Sequence, residues 1–252
     1  MSATDLRRIA AFRMSFARRQ AAEATAIPGG AVVLDPEFAA SYEHNQLVVE
    51  GPVAPPDLVA LADAALGHLP HRQIAILDDA LGVACAPALV AAGYTHHPEL
   101  VMTHSGAAPA PGASAEAVTL AELRPALLGQ QRSWMPEAED EVLRQLTDRR
   151  AARLRGAEQV RFLAVRDEQG DVAAWADLYL DPAQDVAQIE EVVTVDDRTR
   201  RGYADTVLAT ALRQASGYGL FFLVAEPDDW PRHWYARRGF TAIGHSHRFS
   251  RT

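Results

Sequence analysis

The residues with the clearest chemical potential lie between positions 190 and 204. Glu190-Glu191-Val192-Val193-Thr194 is followed by Asp196-Asp197-Arg198-Thr199-Arg200-Arg201-Gly202-Tyr203-Ala204, and then by a segment of helical spacing. A strand that turns into a helix N-terminus presents unpaired backbone N–H groups at the positive end of the helix dipole. Gly202 lets the backbone approach a ligand closely, and the small Ala204 keeps the first helical turn clear. Arg200 and Arg201 add positive charge, and together these groups suit a pyrophosphate. A basic surface turn capping a structural helix has the same composition, so this stretch alone specifies an anion site and no reaction.

A second group follows downstream. Tyr235-Ala236-Arg237-Arg238-Gly239-Phe240 places a tyrosine four residues before a Gly-Phe corner, and Asp228 stands seven residues before that tyrosine. The two motifs, in this order, resemble the GCN5-related N-acetyltransferase (GNAT) superfamily, whose acetyl-CoA loop reads Arg/Gln-x-x-Gly-x-Gly/Ala after a valine-rich strand. The resemblance extends over roughly Val118 to Phe249. Here Thr199 occupies the first loop position in place of Arg or Gln, with Arg198 one residue earlier.

The resemblance implies an α/β (α+β) fold, with a mixed, mostly antiparallel central sheet, splayed strands and flanking helices. It implies acetyl-CoA as cosubstrate, with no metal. Backbone groups of Val192, Val193 and Thr194 would hold the pantetheine. Arg200, Arg201, Gly202, Tyr203, Ala204 and Asp205 would surround the pyrophosphate. Asp228 falls where the family often has an Asn that binds the pantetheine arm. Tyr235 would protonate the departing CoA thiolate, since a phenol with a pKa near 10 keeps its proton at neutral pH. Glu190 or Glu191 could accept the proton of the amine. Adjacent strand residues point to opposite faces, so one of the two can line the cleft, and Glu190 is the preferred one.

The implied reaction is direct transfer of acetyl to a primary amine of a small molecule or peptide within a ternary complex. A non-catalytic acetyl-CoA-binding or scaffolding module is the alternative, and the Tyr235 motif favours the enzyme.

The elements that must position these residues can be read from the pattern. Val118 to Leu120 reads as a short strand, Ala121 to Leu128 as a helix, and Glu137 to Arg155 as a helix with Leu143, Leu146 and Leu154 on its apolar spacing. Val160–Val165, Val172–Leu180 and Ala187–Val195 read as strands, the first two joined by a turn at Glu168-Gln169-Gly170-Asp171. Thr206–Ala215 is helical, Leu220–Ala225 a buried strand, Trp230–Arg238 a short helix and Phe240–Phe249 the last strand or strand pair. Helices and strands in this order build a mixed sheet covered on both faces.

The first half repeats the pattern. Gly93-Tyr94-Thr95 and Gly239-Phe240-Thr241 stand 146 positions apart, and the same offset pairs Ile74–Leu77 with Leu220–Leu223 and Gln46–Val49 with Val192–Val195. Two tandem GNAT-like domains are expected: a degenerate copy at 1–104, a Pro/Gly/Ala-rich linker at 105–116 and a catalytic domain at 117–252. At this offset Pro55-Pro56 replaces Arg201-Gly202, and Leu89 stands where the tyrosine should be. Proline has no N–H, so the first half lacks the anion nest, and one acetyl-CoA per chain is expected.

The remaining features set bounds. The chain has 252 residues, enough for two ordinary domains. It is 48% hydrophobic and 23% charged, as soluble globular proteins are. No apolar run reaches the roughly 18 residues of a membrane span. The segment Asp5–Arg19 is basic and amphipathic, without the apolar stretch of a secretory signal, and reads as a first helix. Cys85 is the single cysteine, which excludes an internal disulfide and a thiolate zinc cluster, and a reducing cytoplasm fits. A net charge of −9 argues against nucleic acid and suits a cationic amine. No membrane partner is expected, and a homodimer is compatible with these features. His245 and His247 alternate on a strand without a third ligand, which reads as a solvated strand face, and His96 and His97 point apart.

Overall fold

The computed structural model describes residues 3–252. Two compact units divide the chain: Met1–Thr103 with Val224–Thr252, and His104–Leu223. The first unit begins with α1 (Ala3–Gln20), β1 (Glu23–Ile27), β2 (Gly30–Leu34), β3 (Gln46–Val49) and α2 (Pro55–Leu66), and continues through β4 (Arg72–Ile76), α3 (Asp79–Ala91) and β5 (Thr95–His104). The second holds β6 (Glu116–Val118), α4 (Leu120–Trp134), α5 (Asp140–Asp148), α6 (Arg150–Arg153) and β7 (Gln159–Arg166). It continues with β8 (Val172–Asp181), β9 (Val186–Thr194), α7 (Tyr203–Gln214) and β10 (Leu220–Ala225). The last elements, α8 (Pro231–Ala236) and β11 (Phe240–Arg251), belong to the first unit.

Strand alternation explains how the first unit is layered. Val33 and Val48 pack with Met14 and Ala17 of α1, whereas their neighbours Val32 and Val49 pack with Leu58, Ala62 and Leu66 of α2 and with Cys85 and Leu89 of α3. Successive side chains of a strand face opposite sides, so each side needs its own helical cover. Leu89 is fully buried in that core, and burial pushes the Cys85 thiol pKa up.

The two units repeat one ladder pattern. β1–β2 and β2–β3 are antiparallel and β3–β4 is parallel; β7–β8 and β8–β9 are antiparallel and β9–β10 is parallel. The strand pairing within each unit is therefore mixed and mostly antiparallel, with flanking helices, as expected. Gly93 and Gly239 close the helix-to-strand corners with φ of +87° and +88°, a conformation that disfavours residues with a Cβ.

One strand departs from the expected domain plan. β11 pairs antiparallel with β4, from His247 opposite Ile76 to Arg251 opposite Arg72, and the strand order of the first unit is β1-β2-β3-β4-β11-β5. The segment 224–252 thus clusters with 1–103, whereas the sequence pattern had it completing a domain at 117–252. Phe249, at 0% exposure in the core with Ile74 and Ile76, gives the physical reason. The other departure is local. The helical stretch at 137–155 is two helices, α5 and α6, and Leu154 is exposed. No described helix is long and apolar enough to cross a membrane.

Candidate functional site

The second unit's site begins on β8 and β9. Their antiparallel register runs from Asp181 opposite Val186 to Asp177 opposite Glu190, then shifts, and resumes with Trp175 opposite Val193. One residue of β8, Ala176, faces two residues of β9, which makes a β-bulge. Glu191 sits in it with φ of +50°. For a residue with a Cβ, that left-handed backbone costs on the order of 1–3 kcal/mol, so surrounding contacts must hold it.

Those contacts are ionic. Arg150, whose guanidinium also lies 3.1 Å from Asp177, donates to Glu191 Oε2. Arg153 donates to Glu191 Oε1 at 2.8 Å and to Asp177 at 2.7 Å, and Arg149 reaches Glu191 at 3.4 Å. Arg150, Arg153 and Asp177 are essentially fully buried. Burial by itself acts to raise the Glu191 pKa, but the three guanidinium groups outweigh it and hold the carboxyl well below the usual carboxylate range. Glu191 is therefore unsuited to accept a proton. The bulge interrupts the alternation at Glu191, so strand alternation by itself does not assign the two glutamates to faces.

On its other edge β9 separates from β10. Their parallel pairing covers Val186–Gln188 against Leu220–Phe222, while β9 itself runs on to Thr194. The first unit differs, because β3 and β4 stay paired to Val49 and Ile76, and Leu77 N–H donates to Val49 C=O at 2.8 Å. Only the second unit has open strand edge at this place, and Val192, Val193 and Thr194 lie on it, half-buried.

Beyond Thr194 the chain makes a short 3₁₀ turn at Asp196–Arg198 and enters α7 through Gly202. Gly202 has φ of +82°, and a Cβ placed there would meet nothing within 4 Å, so conformation and not crowding requires the glycine. α7 has no side-chain cap, and Thr206 N–H donates to Gly202 C=O at 3.1 Å to open the helix. The amides of Gly202, Tyr203 and Ala204 precede that bond, as donors of an anion site must. Arg200 and Arg201 are exposed beside them, as is Asp205. Arg198 is committed elsewhere, to Asp167 at 2.8 Å and to Asp197, and Thr199 Oγ1 donates to Asp196 C=O at 3.2 Å. In the first unit α2 starts with Pro55 and Pro56, after Ala54 and without a side-chain cap, so two donors are missing.

A cleft of about 590 Å³ opens in the second unit beside the start of this loop, against one face of α4. Four carboxylates (Glu122, Asp171, Asp196 and Asp197) and two arginines (Arg166 and Arg198) line it.

The first unit carries the other expected site residues. Tyr235, on α8, meets Trp234 and Phe240 edge-on, at ring distances of 5.0 and 5.7 Å. Burial pushes its phenol pKa up to about 12. Asp228 is exposed in the turn before α8. His245 and His247 do not form a solvated face. His247 is 4% exposed, with Nδ1 2.9 Å from His96 Nε2 and Nε2 3.0 Å from Asp79 Oδ1. Gly82 makes room for it, since a Cβ there would stand 2.0 Å from the imidazole. Among the described residues, no group of three or more His, Cys, Asp or Glu side chains could hold a metal ion.

A family model described as acetyltransferase (GNAT) family matches residues 123–240. This segment belongs to the GNAT family. Solved structures share the fold over nearly the whole chain. A functionally unknown conserved protein from Staphylococcus epidermidis aligns with a TM-score of 0.68 at 12% identity, over 90% of this chain and 92% of its own. A GCN5-related N-acetyltransferase from Kribbella flavida aligns at 0.61 and 19% identity, over 98% and 95%. A third, from Sphaerobacter thermophilus, aligns at 0.56 and 17%, over 89% and 78%. The comparison with curated proteins returns no match.

Within the GNAT segment, the sequence reading missed the arginine cluster under β9. Three arginines within five positions, Arg149, Arg150 and Arg153, were the available signal, hidden because they read as the charged face of a helix.

Proposed function

We propose that this chain is an N-acetyltransferase that moves acetyl from acetyl-CoA to a primary amine of a small molecule or peptide. The observation that carries the reading is the open edge of β9 leading, through one short loop, to an uncapped helix N-terminus at a left-handed glycine. Strand edge suits an amide-bearing arm, and helix amides suit its pyrophosphate. Acetyl-CoA, when bound, supplies an activated thioester.

The chain's own residues then divide the work. Val192–Thr194 hold the pantetheine by strand-like hydrogen bonds, and Gly202–Ala204 hold the phosphates, with Arg200 and Arg201 adding charge. An amide on this edge, that of Val193 or a neighbour, donates to the oxygen that becomes negative as the amine attacks. Glu190, directly or through water, takes the amine proton, a role closed to Glu191 by its arginines. Tyr235 keeps a proton on Oη for the leaving sulfur. Its assignment rests on its spacing to Gly239-Phe240 and on its raised pKa. The carboxylate surplus of the cleft beside α4 fits a cationic acceptor, and the buried single thiol fits a reducing cytoplasm.

Incubation with acetyl-CoA and a panel of polyamines, amino acids, aminoglycosides and peptides tests the reading. Amine-dependent release of free thiol is expected. Tight acetyl-CoA binding without any such release would replace the enzyme by an acetyl-CoA-binding module.

A further inference from the structure

The buried arginines of α6 have no place in the chemistry above, yet they converge on the strand that carries it. Arg150 and Arg153, three positions apart on one helix face, each bridge Asp177 of β8 and Glu191 of β9. Asp177 is the register partner of Glu190, the last residue before the bulge. The arginines therefore tie the two strands together where their register changes, and both Glu191 oxygens are occupied.

We propose that Arg150 and Arg153 are positioning residues for acetyl-CoA: by clamping Glu191 in its left-handed conformation, they fix which backbone amides of Val192–Thr194 face the open edge of β9. The proposal rests on the acetyl-CoA reading of that edge. Along a strand, N–H and C=O groups turn to the two edges with a period of two. One extra residue reverses that assignment for everything beyond it. The residues beyond Glu191 are those that face the departed β10. A glutamate has no preference of its own for positive φ, which glycine adopts freely and asparagine tolerates. The conformation at Glu191 is thus supplied by its partners, and the partners are these guanidinium groups.

Glu191→Ala and Glu191→Gly remove the same carboxylate but differ in their tolerance of positive φ. Acetyl-CoA affinity is measured by calorimetry, with thermal unfolding recorded alongside. The alanine variant is expected to bind at least tenfold more weakly than the unaltered chain, and the glycine variant less than threefold more weakly. Equal affinities in the two variants overturn the proposal. Should both fail to fold, Arg150→Lys and Arg153→Lys take their place, since each keeps the charge and loses the two-pronged fork. The expected result is a rise of at least fivefold in KM for acetyl-CoA, exceeding any fall in kcat, with faster hydrogen exchange confined to 186–195. Unchanged KM and exchange overturn the clamp. If the unaltered chain binds no acetyl-CoA, the reading of the site falls first. If it binds and every variant matches it, the clamp alone falls.

Discussion

The ring of Tyr235 stands edge-on to that of Phe240, centroids 5.7 Å apart and planes inclined by 65°. Packing thus holds the ring. Tyr235→Phe keeps the packing and removes only the acid. Turnover should fall about a hundredfold, the lower range for loss of a general acid. Acetyl-CoA affinity and melting temperature should hardly move. Undiminished turnover in steady-state assays would remove Tyr235 from the mechanism. Because burial raises the phenol pKa to about 12, the unaltered enzyme should show no alkaline loss from this group below pH 10. Its contribution to stability is full below about pH 10 and is lost as the pH rises towards 12.

One acetyl-CoA should bind per chain. The first unit has closed strands at Val49 and Ile76 and prolines at the helix start, so it has neither the open edge nor the amides. Calorimetric titration should give a stoichiometry of one, and a value of two would contradict the assignment of the first unit.

Gly202→Ala forces a side chain into φ of +82° without a steric clash. The strain of about 1 kcal/mol should lower the melting temperature slightly, and acetyl-CoA affinity should drop about tenfold as the loop relaxes. Gly170→Ala is the control. Its φ of +89° and empty surroundings match, but it sits in the β7–β8 turn. It should lose the same stability and keep its affinity. Isothermal titration of both variants distinguishes a loop effect from general strain.

Acid should loosen the first unit. The pKa of His96 is lowered, by burial first and then by the charges of His247 and His97, and that of fully buried His71 is lowered mainly by burial. A histidine with a depressed folded pKa favours the folded state above its unfolded value of about 6.5. That contribution is lost as pH falls through the folded pKa. Melting temperature should therefore decline between pH 7 and 5, and His96→Gln should flatten part of the slope. A melting temperature independent of pH over this range would refute the linkage.

Much of the site's backbone was legible in the sequence. The valine-rich strand, the glycine at the helix start and the Tyr-x-x-x-Gly-Phe spacing each reflect a local rule. Local rules survive without knowledge of what packs nearby. The likeness of the two halves in ladder pattern was legible too, and in more than the short strands. Leu34-Asp35-Pro36 and Leu180-Asp181-Pro182 share the 146-position offset, and both aspartates are buried and accept turn amides, from Glu37 and Gln184. Three features were illegible for one reason. The Glu191 clamp, the His96–His247–Asp79 chain and the seat of β11 beside β4 all join residues distant in sequence. Alternation along a strand assigned Glu191 to a face, but its partners on α6 decide where its carboxylate goes.

The seat of β11 also bears on the edge of β4. Gln73, Ile74 and Ile76 of the first half are paired by Ser250, Phe249 and His247 of β11. Without β11, β4 would be left unpaired along a hydrophobic rim, an invitation to self-association. Although the first half shows no cofactor loop, its sheet is completed by a strand more than 130 positions further along the chain.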